Sequence, residues 1–161
     1  MLLHPASMST ARQIKQMVEL CKISREHLAD VAEIERLCFS EPWSENSLCL
    51  LTENGGVGFA VLCDGKAVAY GGMTYVLDEG QITNIATHPD FRRRGFARAV
   101  VDALCEYSEK NEISSVFLEV RASNISAMSL YEACGFERIG ERKKFYRRPS
   151  EDAVIMKKKI Y

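Results

Sequence analysis

The sequence predicts an α/β (α+β) fold, a mixed central β-sheet flanked by helices in the order ααβββαβαββ. Apolar residues recur at helical spacing in four segments and in strand-like runs between and after them. Two strand–helix–strand passages require crossovers, which makes the sheet mixed. An Asp64-Gly65 turn between two apolar runs marks a hairpin near the start of the sheet.

Taken in order, Ser24 reads as the N-cap of the first helix, with Leu28, Val31, Ile34 and Leu37 at roughly helical spacing. Phe39-Ser40-Glu41-Pro42-Trp43 breaks it, and Ser44 caps a short second helix carrying Leu48 and Leu51. Strands Gly58–Cys63 and Lys66–Val76 flank Asp64-Gly65. A turn at Asp78-Glu79-Gly80 leads to a strand from Gln81 to about Thr87, which His88-Pro89 ends because proline cannot donate to the ladder. A long helix follows from Phe96 to Lys110, with Val100, Val101, Leu104 and Tyr107 on one side. Val116–Val120 is a strand with Val116, Leu118 and Val120 on one face and Phe117, Glu119 and Arg121 on the other. Asn124 caps the last helix, in which Ala127, Leu130, Tyr131 and Cys134 are spaced for burial, and Gly135 stands where a C′ glycine belongs. Phe136–Glu141 and Ala153–Lys159 complete the sheet. Residues 1–18 show no pattern and are read as an N-terminal extension, and 19–161 as a single domain.

The chain has 161 residues, 47% apolar and 27% charged, which fits one globular domain with a real core. Its net charge of −1 carries no global basic excess of the kind that would indicate nucleic-acid binding. Residues 19–53 hold eight acidic side chains against three basic, and residues 138–159 nine basic against three acidic. That asymmetry either steers a cationic and an anionic partner to different faces or is ordinary solvated surface. No apolar run approaches a membrane span, and the N-terminus does not read as a signal peptide. The six cysteines lack metal or redox spacing and read as small core residues in a reducing, cytoplasmic setting.

The most informative stretch runs from Asn84 to Ala99: a strand ends, a turn holds Gly95, and a helix begins. Helix N-terminal N–H groups and the macrodipole bind anions there. Gly95 lets the backbone approach a phosphate, Ala97 keeps the first helical turn low, and Arg92, Arg93, Arg94 and Arg98 add positive charge. Four arginines at a helix's positive end are unfavourable without an anion, so the turn reads as a pyrophosphate cradle. The plainer alternative is a basic turn that only starts a helix. Gly55-Gly56-Val57-Gly58 opens no helix and reads as a loop.

Glu119 is a carboxylate within an apolar strand, beside a crossover, and could act as a general base. A salt-bridged glutamate, paired with Arg121, is the competing reading. Tyr131 is either within reach of the same crossover or a core tyrosine, and Asn124 is an N-cap that also can touch a ligand. Trp43, the only tryptophan, is either a substrate wall or a hydrophobic staple. Tyr146 is either a pocket residue or a hairpin aromatic.

Together these segments resemble the GCN5-related N-acetyltransferase (GNAT) family. Arg92-x-x-Gly95-x-Ala97 is similar to that family's acetyl-CoA turn, with alanine where a second glycine is common. Asn84-Ile85-Ala86, Leu118-Glu119-Val120-Arg121-Ala122-Ser123-Asn124, Leu130-Tyr131-Glu132, Gly135-Phe136, Pro42-Trp43-Ser44 and Glu151-Asp152-Ala153 resemble its ribosomal-protein-alanine branch. Phe145 to Ser150 is shorter and more basic than the related stretch in that branch. The resemblance spans about residues 20–161. It implies a GNAT-like mixed sheet and acetyl-CoA as co-substrate, with Ile85, Ala86 and Thr87 along the acetyl-pantetheine arm. Arg93 to Arg98, including Phe96, would bind the pyrophosphate and Asn124 would contact the cofactor. Glu119 would accept the proton and Tyr131 donate one.

The expected acceptor is a protein N-terminus, the alanine of a small-subunit ribosomal protein first. A lysine side chain or small amine is the alternative acceptor, and a non-catalytic acyl-CoA-binding module the alternative class. No metal, nucleic acid or membrane enters this reading, and no signal for an oligomeric state is present.

Overall fold

Asp64 and Gly65 both adopt positive φ, 50° and 83°, the geometry that matches the right-handed twist of a two-residue hairpin. They join β2 (Gly56–Cys63) to β3 (Lys66–Val76), and β4 (Glu79–Thr87) continues the meander antiparallel to β3. The computed structural model describes residues 15–161. In it the sheet has seven strands in the order β1-β2-β3-β4-β5-β7-β6, with β1 (Val18–Lys22), β5 (Ser115–Arg121), β6 (Glu137–Tyr146) and β7 (Glu151–Lys159) as the remaining members.

The only parallel neighbours are β4 and β5, joined through α3 (Phe96–Lys110) by the crossover that the sequence demands. The second crossover, α4 (Ile125–Ala133), carries the chain past β7 to the edge strand β6. Two apolar layers cover the sheet. One packs Val100, Val101 and Leu104 of α3 and Met128 and Tyr131 of α4 over β3 to β5. The other packs α1 (Leu28–Cys38) and α2 (Glu45–Leu48) on the opposite face, through Leu28, Val31, Ile34 and Leu48 against Ala60, Tyr70 and Ala86. Ser44 caps α2, its Oγ accepting the Ser47 N–H at 3.1 Å. Asn124 caps α4 through the Ala127 N–H at 3.1 Å, and Gly135 takes the left-handed conformation after it, φ 95°.

Four expectations change. A strand, β1, precedes the first helix, paired antiparallel to β2; its ladder starts at Val18, inside the stretch read as an extension. Residues 1–14 of that stretch lie outside the described residues. α1 opens through a 3-10 turn at Arg25–His27 after Ser24. Leu37 is half exposed rather than in the core, and Glu35 is buried in its place. Strand β6 runs on to Tyr146, five residues beyond the apolar pattern, as a solvated edge. The six cysteines are unpaired, two of them buried.

Candidate active site

β4 and β5 are paired only at their beginnings, from Glu79↔Ser115 to Gln81↔Phe117. Beyond Gln81 the two strands part. A register shift on the β3 side, with Met73 opposite Ile82 and Gly72 opposite Asn84, leaves Thr83 as an extra residue, a bulge that bends β4 away. From Ile82 to Thr87 the β4 backbone groups that face away from β3 therefore have no strand partner, and they line a cleft. Ile85 packs toward α3, whereas Ala86 is buried on the α1 side.

The turn after β4 lies beside this cleft. Arg93 and Gly95 take left-handed φ, 63° and 78°. Gly95 is the N-cap of α3, and the first helical bond runs from the Ala99 N–H to its carbonyl at 3.1 Å. The N–H groups of Gly95, Phe96, Ala97 and Arg98 thus lack helical acceptors. A Cβ at Gly95 would meet nothing within 4 Å, so the turn is open on that side. Such a cradle fits a pyrophosphate.

The arginines divide their work. Arg92 turns back on the strand, Nε donating to the Thr87 carbonyl at 3.3 Å and its guanidinium reaching Cys38 Sγ at 3.6 Å. Arg94 stacks over Phe91 at 4.9 Å. Arg98 approaches Asp102 at 3.8 Å.

Glu119 sits two residues past the last β4–β5 pair, on the face opposite Leu118 and Val120. Its Oε2 accepts from Gln81 Nε2 at 2.7 Å and its Oε1 pairs with Arg142 at 3.2 Å. Its carboxylate side chain is 19% exposed. The pairing with Arg121 considered from the sequence is not formed: Arg121 instead pairs with Glu151 at 3.4 Å and covers the Tyr146 ring at 4.4 Å. Glu151 also accepts the Ser123 N–H at 2.6 Å, which fixes the β5–α4 turn. Gln81 and Arg142 escaped the sequence reading. The signal for Gln81 was its place on the strand that pairs in parallel with β5.

Tyr131 lies on the other face of the sheet, packed edge-on against Phe136 in the layer beneath α4. Burial first, then the neighbouring Tyr146 and Cys134, hold its hydroxyl well above the ordinary phenol range. Tyr146, at the end of β6, is pushed up to about 12 by burial and then by the Glu119 charge. Tyr146 is therefore within electrostatic reach of both. Trp43 is half-buried against the α1–α2 layer.

The loop holding Trp43 touches the β6–β7 turn: Ser40 Oγ donates to the Arg148 carbonyl at 2.8 Å, and Glu41 faces Arg148 at 3.7 Å. The acidic and basic segments thus touch at this point.

A fully buried carboxylate was not foreseen. Glu35 is fully buried, and its Oε1 accepts from the Tyr70 hydroxyl and from Asn84 Nδ2 at 2.8 Å, while Oε2 accepts the Trp43 N–H at 3.0 Å. Desolvation raises its carboxyl above the usual range, and the three hydrogen bonds only partly oppose this. Among the described residues no three His, Cys, Asp or Glu side chains group as metal ligands. None of the described helices is long and apolar enough to cross a membrane.

Comparison with known proteins gives one consistent result. Residues 28–136 match the family model for the acetyltransferase (GNAT) family. The ribosomal protein bS18-alanine N-acetyltransferase of Escherichia coli (strain K12) is 37% identical over 125 residues, covering 76% of this chain and 84% of that protein. Its counterpart in Haemophilus influenzae is 30% identical over 146 residues, 89% of this chain and 96% of that one. Among solved structures, the ribosomal-protein-S18-alanine N-acetyltransferase from Escherichia coli superposes with a TM-score of 0.83 at 34% identity, covering 89% of this chain and 94% of that one. Arabidopsis thaliana NAA60 in complex with acetyl-CoA shares the fold, with a TM-score of 0.81 at 17% identity over 89% of this chain and 99% of that one.

Proposed function

The chain belongs to the GNAT acetyltransferase family and is an acetyl-CoA-dependent N-acetyltransferase, and from that premise we propose that it acetylates the α-amine of a protein N-terminus, first the N-terminal alanine of ribosomal protein S18. The observation that carries the acceptor is the 37% identity to an enzyme named for that reaction. The parted β4 and β5 strands and the donor-rich turn supply the place for the cofactor.

In this reading the N–H groups of 95–98, with Arg93 and Arg98, hold the pyrophosphate, Ala97 leaves room at the first helical turn, and Asn124 lies beside the cofactor. The acetyl-pantetheine arm runs along Ile85, Ala86 and Thr87. Unpaired β4 N–H groups near the bulge act as donors to the tetrahedral oxyanion; losing such a donor typically costs about 10²–10³ in rate. Trp43 and Tyr146 border the acceptor side.

Glu119 accepts the proton of the acceptor ammonium, directly or through one water. The incoming ammonium takes over the place of the Arg142 guanidinium, one cation for another. An α-amine with a pKa of roughly 7.7–8.0 is already free in about one molecule in ten at pH 7, so it asks little of its base; a lysine ε-amine near 10.4 asks far more. The free amine attacks the thioester carbonyl, the C–S bond breaks as CoA leaves, and the second proton shed by the nitrogen ends on the departing thiolate to give the free thiol. Because its hydroxyl is held above the phenol range, Tyr131 stays protonated and stabilises the departing thiolate chiefly as a hydrogen-bond donor.

Glu119→Gln tests the assignment. It should lower kcat by about 10²–10⁴ while CoA still binds by calorimetry. Full kcat in the variant, with an unchanged pH profile, would remove Glu119 from the reaction.

A further inference from the structure

We infer that Glu35 is a positioning residue that couples the cleft-lining segment of β4 to the loop carrying Trp43, so that entry of the acetyl-CoA arm is felt on the acceptor side. The inference rests on the reading that β4 receives that arm. Glu35 is fully buried on α1 and forms no ion pair among the described residues. A carboxylate buried without a cation is costly unless donors satisfy it. Here three donors do so from three segments: Tyr70 of β3, Asn84 of β4 and the backbone of Trp43.

The two oxygens have separate tasks. Oε1 bonds to the strands, and Oε2 bonds to the loop. Asn84 is the first residue paired after the Thr83 bulge, where β4 leaves β5. Thr83 adds a buried hydroxyl with no partner at the same place. Trp43 follows Ser40 and Glu41, which meet the β6–β7 turn. Any shift of β4 at Asn84 therefore either drags the carboxylate, and with it the Trp43 N–H, or leaves a buried donor unpaired. Tyr146, at the end of β6 on the other side of that turn, links the same loop pair to the Glu119 face.

Trp43 is the only tryptophan in the chain, so its emission reports this loop directly. The experiment titrates CoA into wild type, Glu35→Gln, Tyr70→Phe and Asn84→Ala, following heat and tryptophan fluorescence in parallel. Wild type should change its emission with the calorimetric midpoint. Glu35→Gln keeps an oxygen for Tyr70 and Asn84 but sets an amide NH₂ against the Trp43 N–H. It should bind CoA yet lose the emission change, and its KM for an acceptor peptide should rise about tenfold with kcat retained.

Tyr70→Phe leaves the Asn84–Glu35–Trp43 path intact and should keep the response. Asn84→Ala breaks the path at its other end and should lose it, which decides the matter even if Glu35→Gln does not fold. A wild type that binds CoA with silent emission, or a Glu35→Gln response equal to wild type, would overturn the inference. Absence of CoA heat in wild type would overturn the cofactor reading itself and this coupling with it.

Discussion

Seven residues separate Leu28 from Glu35, which at 3.6 residues per turn returns the chain to within about 20° of the same direction. Nine separate Leu28 from Leu37, which places Leu37 on the opposite side. The structure follows that arithmetic: Glu35 is buried and Leu37 half exposed. The apolar pattern hid this, since an ionisable residue at a core position is skipped when only apolar letters are counted. Burial raises the Glu35 carboxyl in the folded protein above its value near 4.3 in an unfolded chain. Its contribution to stability is then full below the unfolded value and lost as pH rises through the folded one. The stability difference between wild type and Glu35→Gln should accordingly be larger at pH 4 than at pH 7 in denaturant titrations; a difference that grows toward neutral pH would refute the assignment. Tyr131 gives a second residue-level prediction. Its hydroxyl is held above the ordinary range near 10, so the rate should show no alkaline loss below pH 10 caused by phenol ionisation. A descending limb near pH 9 that disappears in the residual rate of Tyr131→Phe would count against it.

β4 is the element on which the site depends, and its parting from β5 was only half legible. The Asn84–Ala99 stretch announced a strand, a turn and a helix start, and the structure has all three. The bulge at Thr83 was not legible, because a bulge is set by pairing with β3 and leaves no mark in the alternation of one strand. Strands β1 and the far half of β6 were missed for a related reason. Both are edge strands with solvent on most sides, so no apolar alternation is required of them. At Gly71, opposite Ile85, a Cβ would overlap Val100 Cγ1 and Ile85 Cδ1, so a bare backbone lets α3 and β4 close on β3. Gly71→Ala should destabilise by about 1–3 kcal/mol, lowering Tm by several degrees; an unchanged Tm would show that the layer yields there. Gly95→Ala meets no steric neighbour but forces a side chain into left-handed backbone, at about 1–2 kcal/mol, and points a methyl into the cradle. It should raise KM for acetyl-CoA about tenfold with kcat retained, and an unchanged KM would place the pyrophosphate elsewhere.

Across the whole molecule, α3 and α4 lie over one face of the sheet and α1 and α2 over the other, with the cleft between β4 and β5 open between them. Glu119 stands on one side of the sheet and Tyr131 under the helices of the other. The individual letters Glu119 and Tyr131 could not announce this from spacing alone; it arises because Glu119 alternates away from Leu118 and Val120, while α4 packs in the layer those two residues join. The charge asymmetry was legible as composition, and one acidic and one basic residue of the two segments, Glu41 and Arg148, come together at the rim. Acetyl transfer to a protein α-amine can be read from thiol release by acetyl-CoA. The assay uses a short peptide beginning with alanine and its N-terminally blocked twin, which retains a lysine. Turnover is expected on the free peptide and none on the blocked one, with an acetyl group on the first residue by mass spectrometry. Equal turnover on both peptides, with the label on lysine, would contradict it.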